Sequence, residues 1–470
     1  MIGTLRPGPP PQRSHPDPAV QLLLDRLAIE DLFHSYAASV DRRDFAGVAA
    51  CFAPDVRGRF GGEERRNRDE LVEFISGVAF FHTTLHMLGN TLIEVNGDRA
   101  QLDTDAMIKH HATLEDGSDY QLNMSGSRYG ERLERRAGEW CIAERAVAPV
   151  WGPTGVCRET SRDPALRWLL DRAEIHDLLA SYAIGVDTRD YARVRACFAE
   201  KFEANYLGNQ FDKIEALIDF VRGVELLGWT RHFMSRMLLE LRGDRAKTET
   251  LALISHRPAD DAKPGDPPDP SVGRKPGRER MGVGRYHDEW VREHGRWRIR
   301  RRSHGVASAP LRPQAPQPEA SDPALRYLLD RAGIADLVVA FGAGLDRGDR
   351  ELLAACTSTE LRVELGDGSG QSRDLFLEAQ CERLRAGHTE HRYLGNQLVR
   401  LSENRAEVES YVFLSHQAAG SRRYSPWHEN ALRWEQQLVR DEGGWRIAAH
   451  RVCSNLIEKE SGDVEAASDA

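Results

Sequence analysis

Apolar residues recur at spacings of three and four near the start of the chain, which predicts an amphipathic helix. Its inward stripe consists of Leu24, Ala28, Leu32 and Tyr36. The pattern occurs three times, and each copy opens with a Leu-Asp-Arg segment, at 24–26, 170–172 and 329–331. An Asp-Pro-Ala segment precedes every copy, where the Asp can cap the helix and the Pro can occupy its first turn. Because the copies lie much further apart than solenoid repeats, each is expected to be a domain with its own core.

After the helices of each copy, the pattern of apolar residues changes from a helical period to strict alternation. In the first copy a second helix is predicted over 45–52, with Asp44 as its N-cap. Alternation then predicts strands at 91–95, 100–112, 127–135 and 140–147. Helices followed by antiparallel strands predict the α+β fold class for each copy.

Proline-rich connections at 148–162 and 307–321 separate the copies. They give predicted domains at 17–150, 163–308 and 322–458, with a disordered lead-in at 1–16 and a disordered tail at 459–470. The second copy contains an extra polar and proline-rich segment at 257–280, which is interpreted as a loop insertion between two strands.

Composition excludes several classes of partner. The 64 basic and 73 acidic residues give a net charge of −9, and no basic block is interleaved with aromatic residues, so nucleic acid is not an expected partner. No apolar run reaches the ~20 residues of a membrane span, and the lead-in lacks the apolar core of a signal peptide, which favours the cytoplasm. The cysteines include no Cys-x-x-Cys pair, so no metal site is predicted.

A set of four polar positions recurs around the end of the first helix and on the strand that follows. Asp41 lies at the helix end, five residues after Tyr36, and His86 and Asn90 stand four apart on a strand, where alternation places both on one face with Leu88 and Leu92. The second copy repeats this set as Tyr182, Asp187, His232 and Arg236. A lone His is usually a core residue and an Asp at a helix end can simply face solvent, but their joint recurrence favours a base oriented by a carboxylate.

Further recurring positions lie at strand ends. His110 and His256 are predicted to face the apolar side of their strands, together with His416 in the third copy. Arg145 and Arg302 follow a Trp by five residues. These arginines are expected either to hold a substrate anion or to close a strand end by ion pairing, and the sequence does not decide between the two.

The motifs taken in order resemble a known family. They are Leu-x-Asp-Arg-x-x-Ile-x-Asp-Leu, Tyr36-x4-Asp41, His86-x3-Asn90, Gly126-x-Arg128-Tyr129 and Trp140-x4-Arg145. This order is similar to that of the SnoaL-like polyketide cyclase group of the nuclear transport factor 2-like superfamily. The resemblance implies cone-shaped α+β barrel domains and a cofactor-free lyase in which an Asp-His pair abstracts a proton.

The resemblance also implies a role for each residue. In the first copy His86 would be the base, Asp41 its orienting partner, and Tyr36 with His110 the donors to a departing oxygen. In the second copy the set would be His232, Asp187, Tyr182 and His256. The expected substrate-binding residues are Asn90, Arg145, Arg236 and Arg302. No cofactor is expected.

The third copy departs from this pattern. Phe341 replaces the Tyr, Asp346 remains, Arg392 takes the slot of the His, and His450 takes the slot of the terminal Arg. His391 is adjacent to Arg392 but one residue out of register, which turns it to the other face of a regular strand. The third copy is therefore expected to be catalytically silent.

These observations leave a leading hypothesis and its alternatives. The leading one is a dehydratase-type lyase acting on a small hydrophobic or polycyclic oxygenated molecule; a cyclase or isomerase would need the same acid-base site. A non-catalytic ligand-binding or assembly protein is the opposing hypothesis, because one fold hosts many functions. The copy number also suggests a fused pseudo-trimer, with pairing of two domains as the alternative.

Overall fold

The structure, a computed structural model, describes residues 14–60, 63–81, 83–113, 119–147, 161, 163–258, 280–305, 311, 318–364, 370–417 and 428–453. They form three units of α+β structure, which we call units 1, 2 and 3. The predicted lead-in up to 13, most of the insertion and connections, and the tail lie outside the described residues.

The elements of unit 1 are α1 (Pro18–Asp41), α2 (Phe45–Ala50), β1 (Phe52–Phe60), β2 (Glu63–Arg65), α3 (Arg68–Ser76), β3 (Thr83–Asn96), β4 (Arg99–Thr113), β5 (Asp119–Arg136) and β6 (Glu139–Val147). Those of unit 2 are α4 (Pro164–Asp187), α5 (Tyr191–Ala196), β7 (Phe198–Tyr206), β8 (Asn209–Phe211), α6 (Ile214–Val221), β9 (Leu227–Met234), β10 (Leu238–Arg242), β11 (Arg245–Pro258), β12 (Arg280–Glu293) and β13 (Arg296–His304). Those of unit 3 are α7 (Pro323–Arg347), α8 (Arg350–Cys356), β14 (Thr357–Glu364), β15 (Gly370–Ser372), α9 (Arg373–Arg385), β16 (Thr389–Ser402), β17 (Arg405–Gln417), β18 (His428–Asp441) and β19 (Gly444–Cys453).

The long helix of each unit starts where the Asp-Pro-Ala segment predicts. The carboxylate of Asp17 accepts a hydrogen bond from Ala19 N, and Asp163 and Asp322 cap α4 and α7 in the same way. Such caps satisfy N–H groups that have no partner within the helix. The buried face of α1 includes Leu24 and Tyr36, as the apolar stripe predicts.

Each sheet is mainly antiparallel and contains one parallel pair. The strand order in unit 1 is β2-β1-β6-β5-β4-β3, and β1 runs parallel to β6. Units 2 and 3 repeat this order, with β9 and β10 of unit 2 both paired to β11. The prediction of a helix as far as Phe52 is wrong at its end, because α2 stops at Ala50 and Phe52 begins β1. Strand β1 contains Pro54 and Gly58, so pairing with β6 overrides a weak local preference for strand.

The Asp of each Leu-Asp-Arg segment acts within its own unit. Asp25 accepts a hydrogen bond from the indole nitrogen of Trp140 at 3.2 Å, and Asp330 accepts the equivalent bond from Trp445 at 3.2 Å. These contacts fasten the long helix to the last strand of the sheet.

The Arg of each Leu-Asp-Arg segment instead pairs with a different unit. The partner is always the Asp of the Ile-x-Asp-Leu part of the motif. The shortest contacts are Arg26–Asp177 at 2.7 Å, Arg172–Asp336 at 2.5 Å and Arg331–Asp31 at 2.6 Å. Unit 1 thus binds unit 2, unit 2 binds unit 3, and unit 3 binds unit 1.

Apolar contacts follow the same cyclic pattern. Side chains from β3, β9 and β16, with their neighbours on β4, β11 and β17, form one buried cluster that contains Met87, Phe233, Tyr393, Met107, Leu253 and Phe413. The first turns of α1, α4 and α7 share a second cluster. Each unit therefore contacts both of the others. None of the helices in the described part of the chain combines the length and the apolar character that a membrane span needs.

Candidate functional site

The end of α1 brings a carboxylate against β3 in unit 1. The two atoms Nδ1 of His86 and Oδ1 of Asp41 lie 2.6 Å apart, and Oδ2 of Asp41 accepts the backbone N–H of His86 at 2.9 Å. His86 is 5% exposed and Asp41 is wholly buried. One carboxylate thus fixes both the backbone and the ring of the histidine, which is how a carboxylate sets the tautomer of a base.

Unit 2 repeats this geometry between α4 and β9. Nδ1 of His232 lies 2.6 Å from Oδ1 of Asp187, and the backbone N–H of His232 donates to Oδ2 at 2.8 Å. Both residues are buried. Side chains that diverged or faced solvent would have argued against a paired base, and neither unit shows that arrangement.

Unit 3 keeps the carboxylate and loses the base. Asp346 accepts the backbone N–H of Arg392 at 3.0 Å and its Nη1 at 2.8 Å, while Nη2 of Arg392 binds Glu390 at 2.5 Å. A guanidinium stays protonated in proteins and cannot take a proton from a substrate. The contact between the Asp and the strand backbone is therefore common to the three units, whereas the imidazole belongs to units 1 and 2.

Burial changes the acidity of the groups around the pair. It raises the pKa of Asp41 above its usual value, and the contacts with His86 oppose that change. Burial also raises the pKa of the Tyr36 and Tyr182 hydroxyls, so both stay protonated at neutral pH. A raised pKa makes each phenol a weaker acid, so each hydroxyl gives up its proton only to a strong base.

Each of these tyrosines packs against a buried arginine. The guanidinium carbon of Arg145 lies 3.8 Å from the centre of the Tyr36 ring, and that of Arg302 lies 4.0 Å from the centre of the Tyr182 ring. The positive charge faces the ring, a favourable arrangement when both groups are dry. Arg145 and Arg302 thus occupy equivalent positions in units 1 and 2.

Both arginines are ion-paired to the neighbouring strand. Nε of Arg145 donates to Glu131 at 2.7 Å, and Arg302 donates twice to Asp288, at 2.7 Å each. Burial raises the pKa of Glu131 to about 7, although Arg145 opposes this. The structure therefore contains the ion pairs that the sequence left as one of two possibilities.

Some guanidinium nitrogens are still left over. Nη1 and Nη2 of Arg145, and Nη1 of Arg302, are buried beside the tyrosine rings and make no well-aligned hydrogen bond with a described residue, although Arg145 reaches the Tyr36 hydroxyl and Arg302 those of Tyr182 and Tyr206. Buried donors without an acceptor are costly and uncommon in proteins. They are suited to bind an oxygen atom brought by a ligand.

The expectation that Asn90 shares a face with His86 is wrong. Asn90 has a φ of 50°, and the pairing of β3 with β4 shifts between Gly89 and Leu92. This bulge reverses the faces, because Leu88 packs in the core of unit 1 whereas Leu92 packs against α4 of unit 2. The Asn90 side chain consequently lies at the contact with unit 2.

Arg236 also lies between units. Its guanidinium binds Glu30 of unit 1 at 2.8 Å. Burial alone would raise the pKa of Glu30, but Arg236 and nearby histidines lower it to about 2. The position that corresponds to Asn90 is thus occupied by an inter-unit ion pair and does not face the Asp-His pair of unit 2.

The histidines expected at the strand ends are placed by their backbones alone. His110 lies on β4 opposite Thr84, and His256 lies on β11 opposite Thr230. Their side chains lie outside the described residues, so their roles stay predictions.

The sequence did not single out a third histidine of unit 2, His304. The His304 ring stacks on Tyr286 at 4.4 Å between centres, and burial, followed by the nearby His232, lowers the pKa of His304 to about 4. Tyr206 lies close by, with its hydroxyl 2.8 Å from that of Tyr182. His304 comes two residues after Arg302. Tyr206 ends β7, which corresponds to β1 of unit 1, and the alternation of apolar residues did not predict a strand at that position.

The two sites are therefore not identical in chemistry. Unit 1 has Val147 two residues after Arg145 and ends β1 with Phe60, where unit 2 has His304 and Tyr206. At these two positions unit 2 is more polar than unit 1. Across the described part of the chain, no group of three or more metal-binding side chains is placed to hold an ion.

Comparison with known proteins gives the family. The model of the SnoaL-like domain matches residues 21–146, 167–303 and 326–451. A curated but uncharacterized protein of Mycobacterium tuberculosis is 28% identical over 131 residues, which is 27% of this chain and 86% of that protein.

Solved structures align with about one unit of the chain. One, a Mycobacterium tuberculosis protein of unknown function, has 27% identity over 27% of this chain and 76% of its own, with a TM-score of 0.24. An NTF2-like protein from Cytophaga hutchinsonii has 13% identity over 26% of this chain and 97% of its own, with a TM-score of 0.23. The three family matches together cover most of the sequence, so this chain belongs to the SnoaL-like domain family and carries three tandem copies of its α+β domain.

Proposed function

We propose that the chain is a cofactor-independent lyase of the dehydratase type, with one site in unit 1 and one in unit 2. The observation that carries the proposal is the Asp-His pair, buried and 2.6 Å long in both units. The proposed substrate is a small hydrophobic or polycyclic molecule with a hydroxyl group, since members of the SnoaL-like family take small ligands.

The residues of unit 1 account for each step of water loss. With Nδ1 of His86 held by Asp41, Nε2 takes the proton from the carbon next to the one that bears the hydroxyl. The C–H electron pair forms the double bond and the C–O bond breaks. The leaving hydroxyl takes a proton from Tyr36 or His110, and water departs. Proton transfer from the imidazolium to the donor then restores the site.

The equivalent residues of unit 2 are His232, Asp187, Tyr182 and His256. The spare guanidinium nitrogens of Arg145 and Arg302 are proposed to bind a substrate oxygen, which polarises the reacting carbon. A dry site strengthens both effects, because charges interact more strongly where water is excluded.

The experiment is an assay of water loss from a panel of hydroxylated aromatic and steroid-like compounds. It compares the wild type with His86→Gln, His232→Gln and the double variant. Each single variant is expected to keep the activity of the other unit, and the double variant is expected to lose at least about a hundredfold, the usual contribution of a general base.

His294→Asn is the matched control, because His294 is exposed, has a φ of 50° that Asn tolerates, and lies far from the pairs in sequence. Undiminished turnover in the double variant would rule out the proposed bases. Rearranged or cyclised products without water loss would favour an isomerase or cyclase, which needs the same pair. Binding without turnover in the wild type would favour a ligand-binding protein.

We also propose that the three units work as one closed assembly, a pseudo-trimer within a single chain. The support is the cyclic set of ion pairs and the apolar cluster to which all units contribute.

A further inference from the structure

We propose that each base is positioned by an asparagine of a neighbouring unit, Asn396 of unit 3 for His86 and Asn90 of unit 1 for His232. The inference rests on the proposed function, since it concerns the same two histidines. Unit 3, which lacks a base, is then a working part of the site in unit 1.

Asn396 binds the backbone of β3 on both sides of Met87. Its Nδ2 donates to the carbonyl oxygen of His86 at 2.8 Å, and its Oδ1 accepts the N–H of Leu88 at 2.9 Å. A carboxamide has one donor and one acceptor side, so it pairs with a strand as another peptide group would. Asn396 is 2% exposed, so these hydrogen bonds are shielded from water.

Asn90 makes the same pair of contacts with β9. Its Nδ2 donates to the carbonyl oxygen of His232, and its Oδ1 accepts the N–H of Met234 at 3.1 Å. A further bond to Asp105 at 2.9 Å orients the amide. The bulge and the positive φ at Asn90 aim the side chain at the neighbouring unit, and Asn is among the residues that adopt this conformation most easily.

The third interface provides the contrast. The corresponding residue of unit 2 is Arg236, whose backbone N–H reaches Leu394 of unit 3 at 3.4 Å while its side chain binds Glu30. The strand that it faces carries Arg392 in the slot of the base. The asparagine is therefore present at the two interfaces where the facing strand carries a base, and absent at the one where it does not.

This arrangement fixes the histidine from both sides. Asp41 holds the N–H and Nδ1 of His86, and Asn396 holds its carbonyl oxygen. A histidine held at its backbone N–H, its carbonyl oxygen and its Nδ1 keeps its reacting nitrogen in place, and a shift of about 1 Å in a reacting group can cost a hundredfold in rate. Asn396 and Asn90 are thus positioning residues, which act through the histidines and do not touch the substrate.

The test uses reciprocal variants of the full chain. Asn396→Ala removes the anchor of His86, and Asn90→Gly removes that of His232 without strain at the positive φ. The imidazole nitrogens are observed in two-bond proton–nitrogen spectra of histidine-labelled protein, with His86 and His232 assigned by their Gln variants. We expect Asn396→Ala to move the signals of His86 and leave those of His232 in place, and Asn90→Gly to do the opposite.

Turnover is measured with one site active at a time. Asn396→Ala in the His232→Gln background is expected to lower kcat about tenfold or more with a smaller change in KM, because it misplaces the base and not the substrate. Asn90→Gly in the His86→Gln background is expected to do the same for unit 2.

Each outcome decides the proposal. Signals of both histidines moving together in either variant would show a general loss of structure and overturn it, as would signals that do not move at all. Selective movement supports it even if no compound is turned over, so failure of the proposed reaction and failure of the positioning role give different results.

Discussion

Asp41, Asp187 and Asp346 make the same contact with a strand backbone and meet three different neighbours, two imidazoles and one guanidinium. The fold needs an acceptor for the strand N–H at the end of the long helix, because a buried N–H without a partner is costly. The imidazole has no such structural requirement, since Arg392 takes its place in unit 3. Comparing the units thus separates residues that the fold needs from residues that the proposed chemistry needs.

The tyrosine position gives a prediction at this scale. Phe341 occupies it in unit 3 and is wholly buried, so the fold accepts a ring without a hydroxyl. Tyr36→Phe should therefore change the free energy of unfolding by less than about 1 kcal/mol, while turnover in the His232→Gln background falls about a hundredfold through loss of a proton donor. Urea unfolding and the water-loss assay measure the two effects. Full turnover in this variant would assign the donor role to His110.

Tyr182→Phe serves as the comparison. Its hydroxyl lies 2.8 Å from that of Tyr206, so its loss should cost a hydrogen bond of about 1 kcal/mol in addition to the activity of unit 2.

Elements in this chain present their two faces to different neighbours. Strand β3 carries His86 toward unit 1 and Met87 toward the shared cluster, and its bulge then turns Asn90 and Leu92 to unit 2. A strand without the bulge would keep Asn90 beside His86 and leave the backbone of His232 without its anchor.

The last strand of unit 3 gives a prediction about pH. His450 packs against Phe341 and Trp434, with Nδ1 3.2 Å from the amide of Gln436, and burial, followed by the charge of Arg392, lowers its pKa from 6.5 to about 3. The unfolded chain takes up a proton below pH 6.5 and the folded chain does not. Stability from this group is therefore complete above pH 6.5 and is lost progressively as the pH falls toward 3.

His450→Phe should reduce the loss of stability between pH 7 and pH 5 by about 2 kcal/mol. Urea unfolding at both pH values measures this difference. His294→Asn, which removes an exposed histidine, is the matched control variant. Equal pH dependence in the wild type and His450→Phe would contradict the burial of a neutral ring.

At the scale of the whole molecule, three equivalent Arg–Asp pairs join the units in a closed order. These residues belong to the Leu-x-Asp-Arg-x-x-Ile-x-Asp-Leu motif by which each copy is recognised in the sequence. The motif therefore marks both the start of each unit and its contact with another unit. Because each unit contacts both of the others, a residue of one unit can reach the site of a neighbouring unit.

A charge exchange tests the closed assembly. Arg172 binds both oxygens of Asp336 in a largely buried contact, so Arg172→Asp or Asp336→Arg alone should cost about 3 kcal/mol, and the double exchange should recover a large part of it. The control is Arg400 with Glu407, an exposed pair within unit 3, whose exchange should have little effect. Urea unfolding measures each variant. A double variant that loses the sum of the two single losses would contradict the pairing of units 2 and 3.

Sequence patterns predict the three units, their long capped helices, the inward position of Tyr36 and the joint recurrence of Asp and His in two units. These features follow from local periodicity and from caps, and three copies of one pattern expose them. The pairing of Arg145 with Glu131 and the role of the Leu-Asp-Arg arginines stayed open, because their partners come from another strand or another unit. Local patterns could not predict the bulge at Asn90, the parallel pairing of β1 or the order in which the units meet, since each depends on hydrogen bonds between segments far apart in the chain.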